Sequence, residues 1–225
     1  MLKELIAEAL GTLFLTAFIC ATVIATGRME PQAPVALITA LGAGFALSGC
    51  YCICVPVSRG HFNPAVSIAA WIARRHPASK TVWYIGAQLL GAALGACMVF
   101  LIMAQQPGFQ PMEFAANGYG KHSPAGLPAG AVLAAEAVFT LYFVLVFLRA
   151  ERQRNAVLIG LAFAAGYLAL YGISGASLNP ARSTGAALFA ESWAIDQLWA
   201  FWLGPILGGV GAGLLHKHLF DDDAP

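Results

Sequence analysis

Two short motifs carry the residues best suited to chemistry: Asn63-Pro64-Ala65 and, 116 positions later, Asn179-Pro180-Ala181. A proline at the first position of a helix costs nothing, because that N–H has no partner inside the helix anyway. Each triplet therefore predicts a helix that begins at the proline with an asparagine amide at its cap. The N-terminus of a helix carries roughly half a positive charge. An amide donor placed there suits the holding of a neutral oxygen and the rejection of a cation, and breaks no bond. Arg182 directly follows the second triplet, His61 stands two positions before the first, and Glu8 and Glu136 lie in long apolar runs. No nucleophile, acid and base stand at usable spacing, so the sequence offers no catalytic residues and an enzyme is not expected. The five cysteines, Cys20, Cys50, Cys52, Cys54 and Cys97, all fall in apolar stretches without zinc-ligand spacing. They read as buried thiols, so no metal, cofactor or disulfide frame is expected.

The elements that must hold these residues follow from composition. Of 225 residues, 59% are hydrophobic and only 10% charged, against roughly 25% charged in a soluble domain. The mean hydropathy is +0.73. A soluble fold of this size cannot hide so much apolar surface, so the lipid bilayer is the expected solvent. The net charge of +1, with no basic run able to track phosphates, speaks against nucleic acid.

Six apolar runs, near 5–27, 34–56, 81–104, 128–149, 156–174 and 195–215, have about the length of a membrane-spanning helix. The first run is too long for a signal-peptide core and lacks a small-residue cleavage site. Two shorter stretches, near 64–73 and 180–190, begin at the Asn-Pro-Ala triplets and are too short to cross. They predict half-helices that start inside the membrane. With both termini in the cytoplasm, Lys3, Arg59, Arg74, Arg75, Lys80, Arg149, Arg152, Arg154 and Lys217 face inward and only Arg28 and Lys121 outward. That distribution obeys the positive-inside bias. The Gly- and Pro-rich stretch 105–127 then becomes an outer loop.

The halves repeat, approximately 1–104 against 128–225, within a single transmembrane domain over 1–225. Ala7-Glu8-Ala9 with Thr12 matches Ala135-Glu136-Ala137 with Thr140, and Ala87-Gln88-Leu89-Leu90-Gly91 matches Gly204-Pro205-Ile206-Leu207-Gly208. Each half holds three spans, an odd number, so the second half is inverted and the half-helices meet from opposite faces. Glycines on the third and sixth spans, Gly86, Gly91, Gly95 and Gly204, Gly208, Gly211, predict close helix packing.

On these residues the chain resembles the aquaporins, the major intrinsic proteins, over essentially its whole length. The resemblance implies an all-α membrane protein: six transmembrane helices plus two re-entrant half-helices in an inverted repeat, assembled as a homotetramer with one pore per subunit. It implies that Asn63 and Asn179 donate to passing water, that Gly60, His61, Phe62 and Ala176, Ser177, Leu178 line the pore with carbonyls, and that Arg182 guards the outer constriction. Glu8 and Glu136 would then support the two pore loops. A proton relay is the sharper alternative for these two carboxylates, and a plain helix cap is the blander one for each asparagine. Ser183, Ala187 and Phe201-Trp202 look like the water-channel branch.

The constriction departs from the family. Ala43 stands where water-selective members carry Phe, Tyr167 where they usually carry His, and Ala176 completes a ring with Arg182. Such a ring is expected to be wider and less polar than a strict water filter. The reading is a passive channel for water and small neutral solutes such as glycerol, urea, ammonia or metalloid hydroxides, excluding ions and protons. A strictly water-selective channel and an ion-coupled transporter are the alternatives. Short termini suggest a bacterial plasma membrane. Cys50 and Cys54 share the helical face of Ala43, which predicts an approach to the pore.

Overall fold

Pro64 and Pro180 do start helices, and both helices are short: α3 (Pro64–Ile72) and α7 (Pro180–Ala187). Six others are long and apolar enough to cross a membrane: α1 (Leu2–Thr26), α2 (Val35–Cys54), α4 (Ala78–Met103), α5 (Ala129–Ala150), α6 (Ala156–Ser174) and α8 (Ser192–Leu215). The computed structural model describes residues 1–27, 29, 34–110 and 114–220, and among these there is no strand. Arg28 and Asp221 to Asp223 lie outside the described residues. Several helices begin about a turn before the apolar run that announced them, at Leu2, Ala78 and Ser192. Hydropathy marks only the apolar part of a helix, whereas the backbone pattern continues through polar residues such as Lys3, Glu4 and Lys80. Short helical turns at Glu151–Gln153 and His216–Phe220 extend α5 and α8.

The packing follows the repeat. α1 packs on α4 as α5 packs on α8, α3 packs on α8 as α7 packs on α4, and α2 meets α6, its own counterpart. Small residues set the distances. A methyl group at Gly91 or Gly95 would come within 2.2 Å of the carbonyl oxygen of Ala9 or Leu13 on α1. The mate of Gly91 on α8, Gly208, sits 2.3 Å by the same measure from the carbonyl of Ala137 on α5. With little hydrophobic drive between helices in lipid, this backbone approach supplies the dispersion contact. Gly86 is an exception to the expected glycine stripe, because a side chain there would meet open space.

Outside the bundle the side chains are apolar and exposed, among them Phe14, Phe18, Phe45, Ile53, Trp83 and Leu101. Inside, the polar residues Glu8, Gln88, Glu136, Asn179 and Arg182 are wholly buried. This inversion of the soluble pattern is what a bilayer requires, since a buried polar group must find partners within the protein. The stretch 105–127 is more than a tether. Gly118 donates its backbone N–H to Ser174 O (3.2 Å) and Tyr119 donates to Gln197 Oε1 (2.7 Å), so the loop is pinned onto α6 and α8.

Candidate functional site

The half-helices α3 and α7 meet end to end through their capping residues. Each asparagine accepts from its own helix: Asn63 Oδ1 from Ala65 N (2.9 Å), and Asn179 Oδ1 from Ala181 N (3.0 Å) and Arg182 N (3.3 Å). Each also donates across the junction, Asn63 Nδ2 to Leu178 O (2.7 Å) and Asn179 Nδ2 to Phe62 O (2.9 Å). One N–H of each amide is thereby used in joining the two loops, and one remains. The predicted cap is present in both asparagines, and the same side chain also donates across the junction, because an amide has a separate acceptor and two donors.

The segments leading into the two caps are held by the buried carboxylates. Glu8 on α1 accepts from His61 N (3.0 Å), Phe62 N (2.8 Å), Ser58 Oγ (2.8 Å) and Gln88 Nε2 (2.8 Å). Glu136 on α5 accepts from Ser177 N (2.9 Å), Leu178 N (2.9 Å) and Ser174 Oγ (2.6 Å). Every carboxylate oxygen accepts at least one hydrogen bond from the loop it faces, which supports the loop-holding reading over a relay. The peptide unit is planar and trans, so its C=O points opposite to its N–H. The carbonyls of Gly60, His61, Ala176 and Ser177 therefore turn away from the carboxylates. Among the described residues none of these four carbonyls accepts a hydrogen bond.

The two segments are not simply extended. Gly60 (φ +65°) and Phe62 (φ +49°) are left-handed, and so are their repeat counterparts Ala176 (φ +57°) and Leu178 (φ +55°). Alternation of hand is what aims successive N–H groups at one carboxylate. The conformation costs roughly 1–2 kcal/mol at a residue with a side chain, and the carboxylate hydrogen bonds offset it. At Gly60 a glycine is required twice over, since a side chain would also lie 2.7 Å from the Tyr51 ring.

The four residues predicted for the ring lie inside the bundle. Ala43 from α2, Tyr167 from α6, Ala176 from the second loop and Arg182 from α7 are all fully buried. Ala43, Tyr167 and Ala176 belong to one packed cluster, and Tyr167 leans on Phe163 with ring centroids 4.9 Å apart. Arg182 Nη1 donates to Asn117 Oδ1 at 2.6 Å. Among the described residues no carboxylate pairs with this guanidinium, and its Nε and Nη2 have no hydrogen-bond partner. Tyr167 Oη and His61 Nε2 are likewise buried without a partner, while His61 Nδ1 lies 3.0 Å from Ser67 Oγ. A buried polar group left open in this way is one that a water molecule can satisfy.

Cys50 and Cys54 are buried in the packed cluster that holds Ala43, and Cys50 also lines a groove with the exposed Phe14, Phe18 and Phe45. Some residues of the site were missed. Asn117, in the outer loop, holds both Arg182 and Ser183 (2.7 Å). Nothing in its local sequence marks it. Ser58 and Ser174 were detectable, since each stands five residues before its asparagine. Each hydroxyl donates to the carboxylate and accepts a backbone N–H two residues on. Gln88 bridges Glu8 and Ser67, a task its counterpart Pro205 cannot perform. In the second half Asn117 serves Ser183 instead.

The comparisons with known proteins agree with this geometry. A family model described as Major intrinsic protein matches residues 1–216. Aquaporin Z from Photorhabdus laumondii is 36% identical over 228 residues, with 98% of each chain covered. The structure of the aquaglyceroporin from Plasmodium falciparum superposes with a TM-score of 0.79 at 22% identity, over 97% of this chain and 96% of that one. A more distant fold likeness, to an FNT family ion channel, has a TM-score of 0.62 at 13% identity and covers 97% and 88% of the two chains. The family match and the curated relative span nearly the whole chain, six of its helices suit a bilayer, and the two capped half-helices meet inside the bundle: this protein belongs to the major intrinsic proteins, a family of membrane channels and not of enzymes.

Proposed function

We propose that this chain is a passive channel for water and for small neutral solutes of the glycerol and urea class, closed to ions and protons. The observation that carries the solute range is the composition of the ring. Two of its four side chains, Ala43 and Ala176, are methyl groups, and the nearest candidate to refill the space, Phe45, is 68% exposed on the outer wall of the bundle. Tyr167 offers an apolar face and one hydroxyl, and Arg182 offers two uncommitted nitrogens. A polyol or urea can exchange its water for these donors and for the free carbonyls of Gly60, His61, Ala176 and Ser177.

Exclusion of cations rests on the same residues. The unpaired charge of Arg182 and the two converging helix N-termini raise the potential along the path. One remaining N–H on Asn63 and one on Asn179 would orient each passing water oxygen and interrupt a proton wire. We further place the protein in the plasma membrane of a bacterium with both termini cytoplasmic, as the charge bias supports, and in a homotetramer, as membership of the family supports.

Stopped-flow light scattering on proteoliposomes tests this reading. Rapid shrinkage in sucrose followed by re-swelling in glycerol or urea is the expected result. Shrinkage without re-swelling would favour the second reading, a water-selective channel. That reading draws on the 36% identity to a protein named Aquaporin Z and on Ser183, Ala187 and Phe201-Trp202.

A further inference from the structure

Three connections on the side assigned to the cytoplasm converge on a cavity of about 540 Å³. The α2–α3 loop brings Ser58 and Arg59, the end of α3 brings Arg74 and Arg75, and the turn after α5 brings Arg152 and Arg154. We propose that this cavity binds a multiply charged phosphate-bearing anion, which obstructs the inner mouth of the channel.

Among the described residues, five guanidinium groups and one carboxylate line this cavity, and the carboxylate, Glu151, pairs with Arg59 at 2.9 Å. Guanidinium is the side chain whose planar fork matches phosphate oxygens in pairs, and a concave basic wall concentrates the field that draws anions in. Arg74 (φ +57°) and Arg154 (φ +50°) both occupy left-handed backbone, a conformation that glycine adopts without strain. The fold nonetheless places long cationic side chains at both positions, at the exits of α3 and of the turn after α5. Arg75 is held from behind, donating to the carbonyl of Leu148.

The floor of the cavity ties it to permeation. Ser58 lines it, and the Ser58 hydroxyl donates to Glu8 and accepts from the Gly60 N–H. The cavity thus ends on the loop whose carbonyls lead to Asn63. A neighbouring recess of about 300 Å³ shares Ser58, Arg59 and Arg75 with it and adds His76 and Lys80, the latter paired with Glu4 at 2.9 Å. An anion seated here stands over the entrance. The obstruction rests on the channel reading above, whereas the binding does not.

Inorganic tripolyphosphate is the probe. Calorimetry on the purified full-length protein should show saturable binding of one anion per chain at about 1 mM or below. The double variant Arg74→Gln/Arg154→Gln should weaken it about tenfold or more. Arg154→Gly, which relieves the left-handed backbone, serves if the double variant does not reconstitute. Absence of saturable binding, or equal binding by the variants, overturns the site. In neutral phosphatidylcholine vesicles, tripolyphosphate on both faces should lower water flux at least about twofold relative to the same vesicles without it, and the variant should lose this response. Binding without a change in flux overturns the obstruction and leaves the channel reading intact. Inhibition in phosphatidylglycerol vesicles without tripolyphosphate, relieved in the variant, supports the site and assigns its anion to the lipid headgroup.

Discussion

Asn117 Oδ1 lies 2.6 Å from Nη1 of Arg182 and 2.7 Å from the hydroxyl of Ser183, so one residue of the outer loop fixes both the charge and the first turn of α7. The guanidinium is fully buried and its other nitrogens are open, which makes this contact the one that sets where the charge points. A loop residue thereby orients a buried charge at the start of α7.

Asn117→Asp keeps the shape and places a carboxylate beside the guanidinium. The ion pair cancels the charge that repels cations, so a K⁺ leak absent from the parent should appear in a vesicle fluorescence assay. Asn117→Ala should instead lower stability by about 1–3 kcal/mol, because it strands buried donors. Thermal unfolding in detergent reads this effect.

Ala43→Phe fills the ring from α2. The expected result is glycerol and urea re-swelling slowed about tenfold, corresponding to about 1.4 kcal/mol of added barrier, while water shrinkage persists. Unchanged solute flux would remove Ala43 from the constriction.

Glu136→Gln replaces three hydrogen bonds to a carboxylate with a side chain that has one acceptor oxygen and an unwanted donor. A loss of roughly 1–3 kcal/mol is expected, measured as a lower unfolding temperature. Glu8→Gln should act likewise on the first loop.

His76 packs against Tyr84 at 4.5 Å and against His61 at 5.0 Å between ring centroids. Burial, helped by the charges of Arg59 and Lys80 and opposed by Glu4, lowers its pKa from 6.5 to about 4. Between those values the unfolded chain binds a proton that the folded chain refuses, so stability falls as pH drops from 6.5 towards 4. Unfolding temperatures across this window should fall with pH in the parent and fall less steeply in His76→Phe.

Mercurials provide a check on the wall of α2. Cys50 is buried and lines the groove beside Phe14, Phe18 and Phe45, so Cys50→Ser should leave any mercurial inhibition of water flux unchanged.

The sequence by itself determined the solvent, the spans, the inverted repeat and both half-helices. These depend on local chemistry: the length of an apolar run, an Asn-Pro step suited to opening a helix, and a triplet that recurs 116 residues on. It also pointed to the loop-holding role of Glu8 and Glu136, through their matched places. The left-handed alternation at Gly60, Phe62, Ala176 and Leu178 was not legible, because a residue with a side chain adopts it only when distant hydrogen bonds compel it. Asn117 meets Arg182 across 65 positions, and Arg59, Arg74 and Arg154 meet from three separate loops. Only the packed bundle decides such encounters, since a loop's direction is set by the helices it joins and leaves no periodic trace in the chain.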